Sequence, residues 1–303
     1  MKEYIFYFVV VVLLLLLLIV CLVFLKNNHN SSKIIQQTII NDLTQLGCTI
    51  HTSYSLTEHE KGYLLIIINS NDNISDILQL IISLPTHPKE LHLNHVDFDN
   101  DVMLDLNKIN IDSLGFYKCS FKKVEELEFG QPIQTLVINC CELPKHFLQN
   151  FVKSKISNIH FIDTGIDDLT IYDLRRFPEL SVCRFNHLIF EDSWLNELFE
   201  LKQVKEVNID DTNYSGSIDI DLLEKSTVEK ISLNRCNLLE LDFSTFTNFS
   251  RRLEIDVHES LINQSQARVI NEIKSMKANV ELVGIPSVTS LPSEKSNTQT
   301  DED

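Results

Sequence analysis

The sequence predicts an α/β solenoid, with short strands stacked into one parallel sheet and return segments, several of them helical, packed behind it. Two observations predict this. Apolar residues recur in four aligned columns at a step of 22–24 residues. Each unit also carries the same core, two apolar residues around one variable position, followed three places later in most units by a small or polar residue. The clearest copy is IDSLGFYKCSF, Ile111–Phe121, and it returns as IQTLVINCCEL from Ile133 and VEKISLNRCNL from Val228. A third observation, a long apolar run near the N-terminus, predicts one membrane span ahead of the solenoid.

That run is Tyr4–Leu25, YIFYFVVVVLLLLLLIVCLVFL. At ~1.5 Å per residue its 22 residues extend roughly 33 Å as a helix, against a hydrocarbon core of about 30 Å. Tyr4 and Tyr7 stand where interfacial aromatics stand. A secretory signal has an apolar stretch of about 7–15 residues and ends at a small-residue cleavage site. Here the run is longer, and Lys26-Asn27-Asn28-His29-Asn30 follows it. Residues 1–26 are therefore expected to be an uncleaved single-pass anchor contacting the lipid bilayer through Tyr4–Leu25, and 27–33 a polar linker. The alternative is removal of Met1–Cys21 from a secreted or effector-like protein. Lys2 on one flank and Lys26 and Lys33 on the other give no charge asymmetry to orient the span.

Residues 34–87 read as a cap over the open end of the solenoid core, which a stack of this kind requires. Lys33–Leu46 places Ile35, Ile39, Leu43 and Leu46 on one helical face, and Gly47 suits the position just past its end. Cys48–Leu56 and Tyr63–Ile68 read as strands around the polar turn Thr57–Gly62. Ile74–Leu84 reads as a helix stopping before Pro85.

The array occupies 88–284, with about eight repeats. The first strand column is Leu91, Leu114, Leu136, Ile159, Cys183, Val207, Ile231 and Leu253, and two residues on stand Leu93, Phe116, Ile138, Phe161, Phe185, Ile209, Leu233 and Ile255. Three residues before the first column stand Pro88, Ile111, Ile133, Ile156, Leu180, Val204, Val228 and Ser250. Seven after it stand Phe98, Phe121, Leu143, Ile166, Phe190, Tyr214, Leu238 and Ser260. Five after it the column reads Val96, Cys119, Cys141, Thr164, Leu188, Thr212, Cys236 and His258, so most of the thiols are small buried groups rather than nucleophiles. On the return segments Leu169, Leu174 and Phe177 are expected to face inward, with Asp167 and Asp168 at a helix start where the dipole favours negative charge. Glu191–Leu201 and Lys145–Val152 are similar. A last helix, Gln266–Met276, packs through Val269, Ile273 and Met276, and Val280–Val283 closes the sheet. From 285 to 303 the chain becomes polar and Pro/Ser/Thr-rich and ends in acids, the composition of a disordered tail.

Composition narrows the chemistry. Acidic residues number 43 against 26 basic, a net charge of −17, which repels nucleic acid. The seven cysteines form no C-x-x-C pair, although Cys140 and Cys141 are adjacent. Phosphate-binding glycine loops, H-E-x-x-H and G-x-S-x-G are all absent, and the acidic runs lack calcium-loop order. Neither an enzyme, nor a metal, nor a cofactor is expected.

Strand residues that alternate with the apolar columns point to the opposite face of the sheet. One row reads Glu90, Ser113, Thr135, Asn158, Val182, Glu206, Lys230 and Arg252. The next reads His92, Gly115, Val137, His160, Arg184, Asn208, Ser232 and Glu254, and the third Asn94, Tyr117, Asn139, Ile162, Asn186, Asp210, Asn234 and Asp256. From these, His92, Asn94, Tyr117, Asn139, His160, Arg184, Asn186, Asn208, Asp210, Asn234, Glu254 and Asp256 are the candidate partner-binding residues.

Over roughly Ile50–Gly284 the pattern L-x-x-L-x-L-x-x-(N/C)-x-L resembles the leucine-rich repeat superfamily. FIDTGIDDLTIYDLRRF and FNHLIFEDSWLNELFEL look like its bacterial variety, L-x-x-L-x-L-x-x-T-x-I-x-D-x-x-L, whose members often carry an N-terminal membrane segment. The array departs from that family in its low Leu and Gly content. The resemblance implies a right-handed horseshoe with the parallel sheet on its concave face, and a non-catalytic module binding a protein or peptide there.

Overall fold

The computed structural model describes residues 31–53, 63–69, 73–123, 129–214, 218–275, 279–284 and 286–289. The membrane span Tyr4–Leu25, the turn Thr57–Gly62, Met276 and the tail beyond residue 289 lie outside these. Among the described residues no helix is long and apolar enough to cross a membrane.

One eleven-stranded sheet organises the chain. Its strands run in the order Thr49–Ser53, Tyr63–Ile68, Glu90–Asn94, Ser113–Tyr117, Thr135–Asn139, Asn158–Ile162, Val182–Asn186, Glu206–Asp210, Lys230–Ser232, Leu253–Asp256 and Val280–Val283. The first pair is antiparallel and every later pair is parallel. Leu91, Leu114, Leu136, Ile159, Cys183, Val207 and Ile231 sit opposite one another on consecutive rungs. This is a leucine-rich-repeat-like solenoid. Ile66 pairs with Leu91, so the parallel stack starts one rung earlier than the repeat pattern suggests.

Burial alternates along the strands, as it must when one face is packed and the other solvated. Leu91, Leu93, Leu136, Ile138, Ile159 and Phe161 are wholly buried while their neighbours are half-exposed. Phenylalanine fills much of the interior that leucine fills in denser repeats. Phe98 stacks on Phe121 at 5.0 Å and meets Phe116 edge-on at 5.2 Å, while Phe161 stacks on Phe185 at 5.7 Å. Such pairs add about 0.5–1.5 kcal/mol each beyond their buried area.

Each rung leaves the sheet through one residue in the left-handed region: His95, Lys118, Cys140, Asp163, His187, Asp211 and Arg235, with φ between 46° and 57°. That turn keeps the residue's N–H pointing at the next rung, as from Lys118 to Asn139 O at 2.8 Å and from Cys140 to Ile162 O at 2.9 Å. It also swings the following side chain inward. Cys119 thereby donates to Leu93 O (3.1 Å) and its N–H reaches Cys141 Sγ (3.4 Å). Cys141 N–H in turn reaches Thr164 Oγ1 (3.5 Å), which donates to Ile138 O (3.1 Å). The thiol column is a hydrogen-bonded ladder. Burial pushes the Cys183 and Cys236 thiols up. Cys140 is exposed and Cys141 buried, and both are free thiols.

The return segments start at acidic caps. Asp99 accepts from Val102 N, Asp167 from Thr170 N and Asp219 from Leu222 N, at 2.8–3.0 Å, offsetting donors that a helix start leaves unpaired. The helices are Ile74–Ile82, Asn100–Leu106, Asp168–Asp173, Asp192–Phe199, Ile220–Lys225 and Gln264–Ser275. Phe147–Phe151, inside the helical stretch expected at Lys145–Val152, is a 3-10 turn.

Five expectations are corrected. The expected linker 27–33 lies partly outside the described residues, and residues 31–45 are helical. In this helix Ile35 is exposed while Ile39 and Leu43 are buried. Leu169 is only half-buried, and Ile171 takes the inward place. In the last helix Ile270 and Ile273 are buried and Val269 only packs at the margin. Ser287–Thr289 forms a strand on Leu261–Asn263, so the polar sequence after 285 still pairs.

The fifth correction concerns register. Ile231 faces Ile255, not Leu253, and Lys230 faces Glu254. The last step is therefore 24 residues, from 231 to 255. Ser250 is exposed, and Glu259, not Val257, takes the left-handed turn. Ser260 then joins the ladder, accepting from Cys236 N at 3.1 Å and donating to Leu233 O, while Ile262 fills the next apolar column.

Candidate functional site

The helix-free face of the sheet collects the twelve candidate residues on successive rungs. Register places His92 beside Gly115, Asn94 beside Tyr117, Tyr117 beside Asn139, and His160 beside Arg184. The shift at the last rung moves two of them. Glu254 belongs to the first row, where it accepts from Lys230 at 2.7 Å. Asp256 belongs to the middle row beside Ser232. His258, not Asp256, continues the third row, its N–H donating to Asn234 Oδ1 at 2.8 Å. Arg252 leaves the first row altogether. At the other end Asn69, outside the repeat pattern, joins this face by accepting from Asn94 Nδ2 at 2.8 Å.

On this face the alternation of burial fails at three points, Gly115, Asn208 and Ser232. At the first, the His92 and Tyr117 rings meet at 5.1 Å with a 46° tilt, on either side of Gly115. Burial lowers the His92 pKa, partly opposed by Glu90, and raises that of Tyr117. The result is an aromatic platform with polar rims, suited to an apolar side chain or a peptide plane.

The middle of the face is more apolar, with Val137, Ile162 and Val182 half-exposed around His160. His160 Nε2 bonds Asn186 Oδ1 at 2.8 Å. Burial lowers its pKa more than the Asn186 bond raises it.

The C-terminal part is a polar network. Arg184 and Asn208 Nδ2 both donate to Glu206 Oε1, at 3.4 and 3.0 Å. Ser232 Oγ and Asn234 N both donate to Asp210 Oδ1, at 2.6 and 3.0 Å. Asn234 Nδ2 then reaches Ser232 Oγ and Asp256 Oδ2. Asn208 Oδ1 is buried and accepts no hydrogen bond, a cost of about 1–3 kcal/mol for such a group. The edge beyond carries Asp211, whose pKa is lowered by its hydrogen bonds from Arg235.

Two places lie outside the candidate set. A groove of about 790 Å³ opens at the sheet edge between Asp163–Asp168 and His187–Trp194, where Trp194 Nε1 donates to Asp168 Oδ1 at 2.6 Å and Ile189 is exposed. No spacing in the sequence marks it, because its walls come from two different turns. Behind the sheet, the buried Asp173 carboxylate takes Arg176 Nε (3.1 Å) and Gln149 Nε2 (3.2 Å), with His146 Nδ1 at 3.3 Å. That cluster ties two neighbouring return segments together. Among the described residues no group of three or more His, Cys, Asp or Glu is placed to hold a metal ion.

No family model matches the chain, and no curated protein does. Among solved structures it is similar to a chain of the Toll–Spatzle complex, described as a molecular hub in Drosophila development and innate immunity, at 11% identity and a TM-score of 0.42. The match covers 71% of this chain and spans 36% of the other.

Proposed function

We propose that this chain is a membrane-anchored leucine-rich repeat protein, of the bacterial type in its repeat pattern, that captures a protein or peptide on the concave face of its sheet and performs no reaction of its own. The observation that carries the reading is the character of the helix-free face. It runs unbroken across the parallel rungs and offers side chains suited to recognition: the His92–Tyr117 platform, half-exposed aliphatics around His160, and the network from Arg184 to Asp256. Curved repeat stacks use such a face for extended partners. The apolar run Tyr4–Leu25 supplies the anchor and sets the location at a membrane.

The test is capture of partners by the tagged full-length chain from its own cells, after crosslinking. Tyr117→Asp with Asn139→Arg on the face is expected to remove a captured partner, and Arg175→Glu behind the sheet to leave it. Loss with the second and not the first would overturn the assignment of the face. Alkaline carbonate extraction and intact mass test the anchor: a chain kept in the membrane fraction at full mass supports it, and a chain shorter by the first 21 residues supports the secreted alternative.

A further inference from the structure

We infer that the C-terminal half of this face seats an arginine side chain of a basic partner segment, held over Asn208 between Glu206 and Asp210. The inference rests on the concave-face reading and names the chemistry of its partner. It starts from a count of donors and acceptors. Asn208 is 9% exposed, yet its Oδ1 accepts nothing among the described residues. The side-chain donors around it bond elsewhere: its own Nδ2 and Arg184 to Glu206, Ser232 Oγ to Asp210, Asn234 Nδ2 to Ser232 and Asp256, and Lys230 to Glu254. Both bonds to Asp210 fall on Oδ1, which leaves Oδ2 for a ligand, two residues along the same strand from Asn208. The unmatched atoms Asn208 Oδ1 and Asp210 Oδ2 are acceptors, so a ligand rich in N–H groups completes them where a phosphate or carboxylate does not.

A guanidinium fits this better than an ammonium. Its planar fork presents several N–H groups at fixed angles and suits paired carboxylate and amide oxygens, while an ammonium is a compact point charge that keeps its water. Arg184 already shows the mode in part. It lies 47% exposed and reaches Glu206 at 3.4 Å, so the incoming group exchanges one Arg–Glu pair for another and gains Asn208 Oδ1 and Asp210 Oδ2. The chain's net charge of −17 steers a basic segment toward it.

The test uses the full-length chain in neutral detergent micelles with fluorescein-labelled hexa-arginine, read by anisotropy at fixed ionic strength. Asn208→Leu and Asp210→Asn are each expected to weaken binding at least tenfold, and the remote, exposed Asp101→Asn and Asp221→Asn less than twofold. Arg184→Ala is expected to strengthen binding several-fold, and Lys230→Ala to change it less. Hexa-lysine is expected to bind more weakly than hexa-arginine. No binding by the parent chain, or equal losses at all four positions, overturns the seat, the second because binding then follows bulk charge. Asp210→Asn keeps the acceptor for Ser232 and Asn234, so it decides the matter even if Asn208→Leu does not fold. If partner capture responds to Tyr117→Asp while hexa-arginine ignores Asn208 and Asp210, the seat is wrong and the face stands; if neither responds, both fail.

Discussion

Tyr117 lies so close over Gly115 that a Cβ on the glycine would stand 2.6 Å from Cε2 of the ring and 3.0 Å from Cδ2 of His92. Gly115 has an ordinary backbone, so it is required by this approach and not by its φ. The glycine is what lets the two rings lie against the sheet instead of standing off it.

Gly115→Ala should therefore dislodge the platform without unfolding the chain. Removing a glycine from a strand interior stabilises by about 0.5–1 kcal/mol, and overpacking costs about 1–3 kcal/mol when the neighbour cannot move. Here the obstacle is the end of a half-exposed side chain, so the net change in stability is expected within about 1 kcal/mol. His92 loses cover, and its lowered pKa should rise toward the ordinary histidine value. An NMR titration of the His92 ring checks this, and an unchanged His92 pKa with unchanged Tyr117 resonances would refute it.

The cysteines separate into two kinds that sequence alone presents as one residue type. Cys183 occupies the first strand column, fully buried among apolar neighbours, and Cys183→Val should cost less than about 1.5 kcal/mol. Cys141 accepts from Cys119 N and bonds Phe116 O and Asn139 O. Cys141→Val strands those groups and should cost about 1–3 kcal/mol, whereas Cys141→Thr should cost much less, since Thr164 performs the same task one rung on. Denaturant unfolding of the three variants decides it, and equal losses for the two valines would sink the ladder.

The repeat columns were legible because burial on one face imposes a spacing that any tolerable substitution must respect, Cys183 and Phe185 included. The face itself was legible as rows, since side chains alternate along a strand. What the spacing could not carry was register at the array's end. There Leu253, Ile255 and Val257 are all buried, so three alternating apolar residues offer two equally good alignments, and the ladder and turn residues have to choose between them. The stranded oxygen of Asn208 was equally hidden, because which neighbour uses which donor depends on side-chain geometry across rungs more than 20 residues apart in sequence. Helix ends fared better where an aspartate capped them, as at Asp167.

That choice of register is testable at two adjacent positions. Ser260→Ala should cost about 1–3 kcal/mol, because it strips the Cys236 N–H and the Leu233 carbonyl of a buried partner. His258→Ala should change stability by no more than about 0.5 kcal/mol, since its ring is exposed. Hydrogen exchange should quicken at the Cys236 amide in the first variant alone. A larger loss for His258→Ala would restore the alignment through Leu253.

Acidification provides the last prediction, and its sign follows from His160. Burial holds the His160 pKa below its ordinary value, so between the two values the unfolded chain binds more protons than the folded one. The stability contributed by the neutral ring is thus present above the ordinary histidine pKa, about 6.5. It is lost as pH falls through that value and levels off below the folded one. His92 acts in the same direction. The melting temperature should fall between pH 7 and pH 5 more steeply in the parent than in His160→Gln, whose amide can still donate toward Asn186. Asp105 and Asp211, held low by Lys108 and Gln79 and by Arg235 respectively, lose their contribution only below the ordinary carboxylate range, so they do not account for a slope above pH 5. Parallel melting curves for parent and variant across that window would show that the ring is solvated in the folded chain and that the centre of the face is open to water.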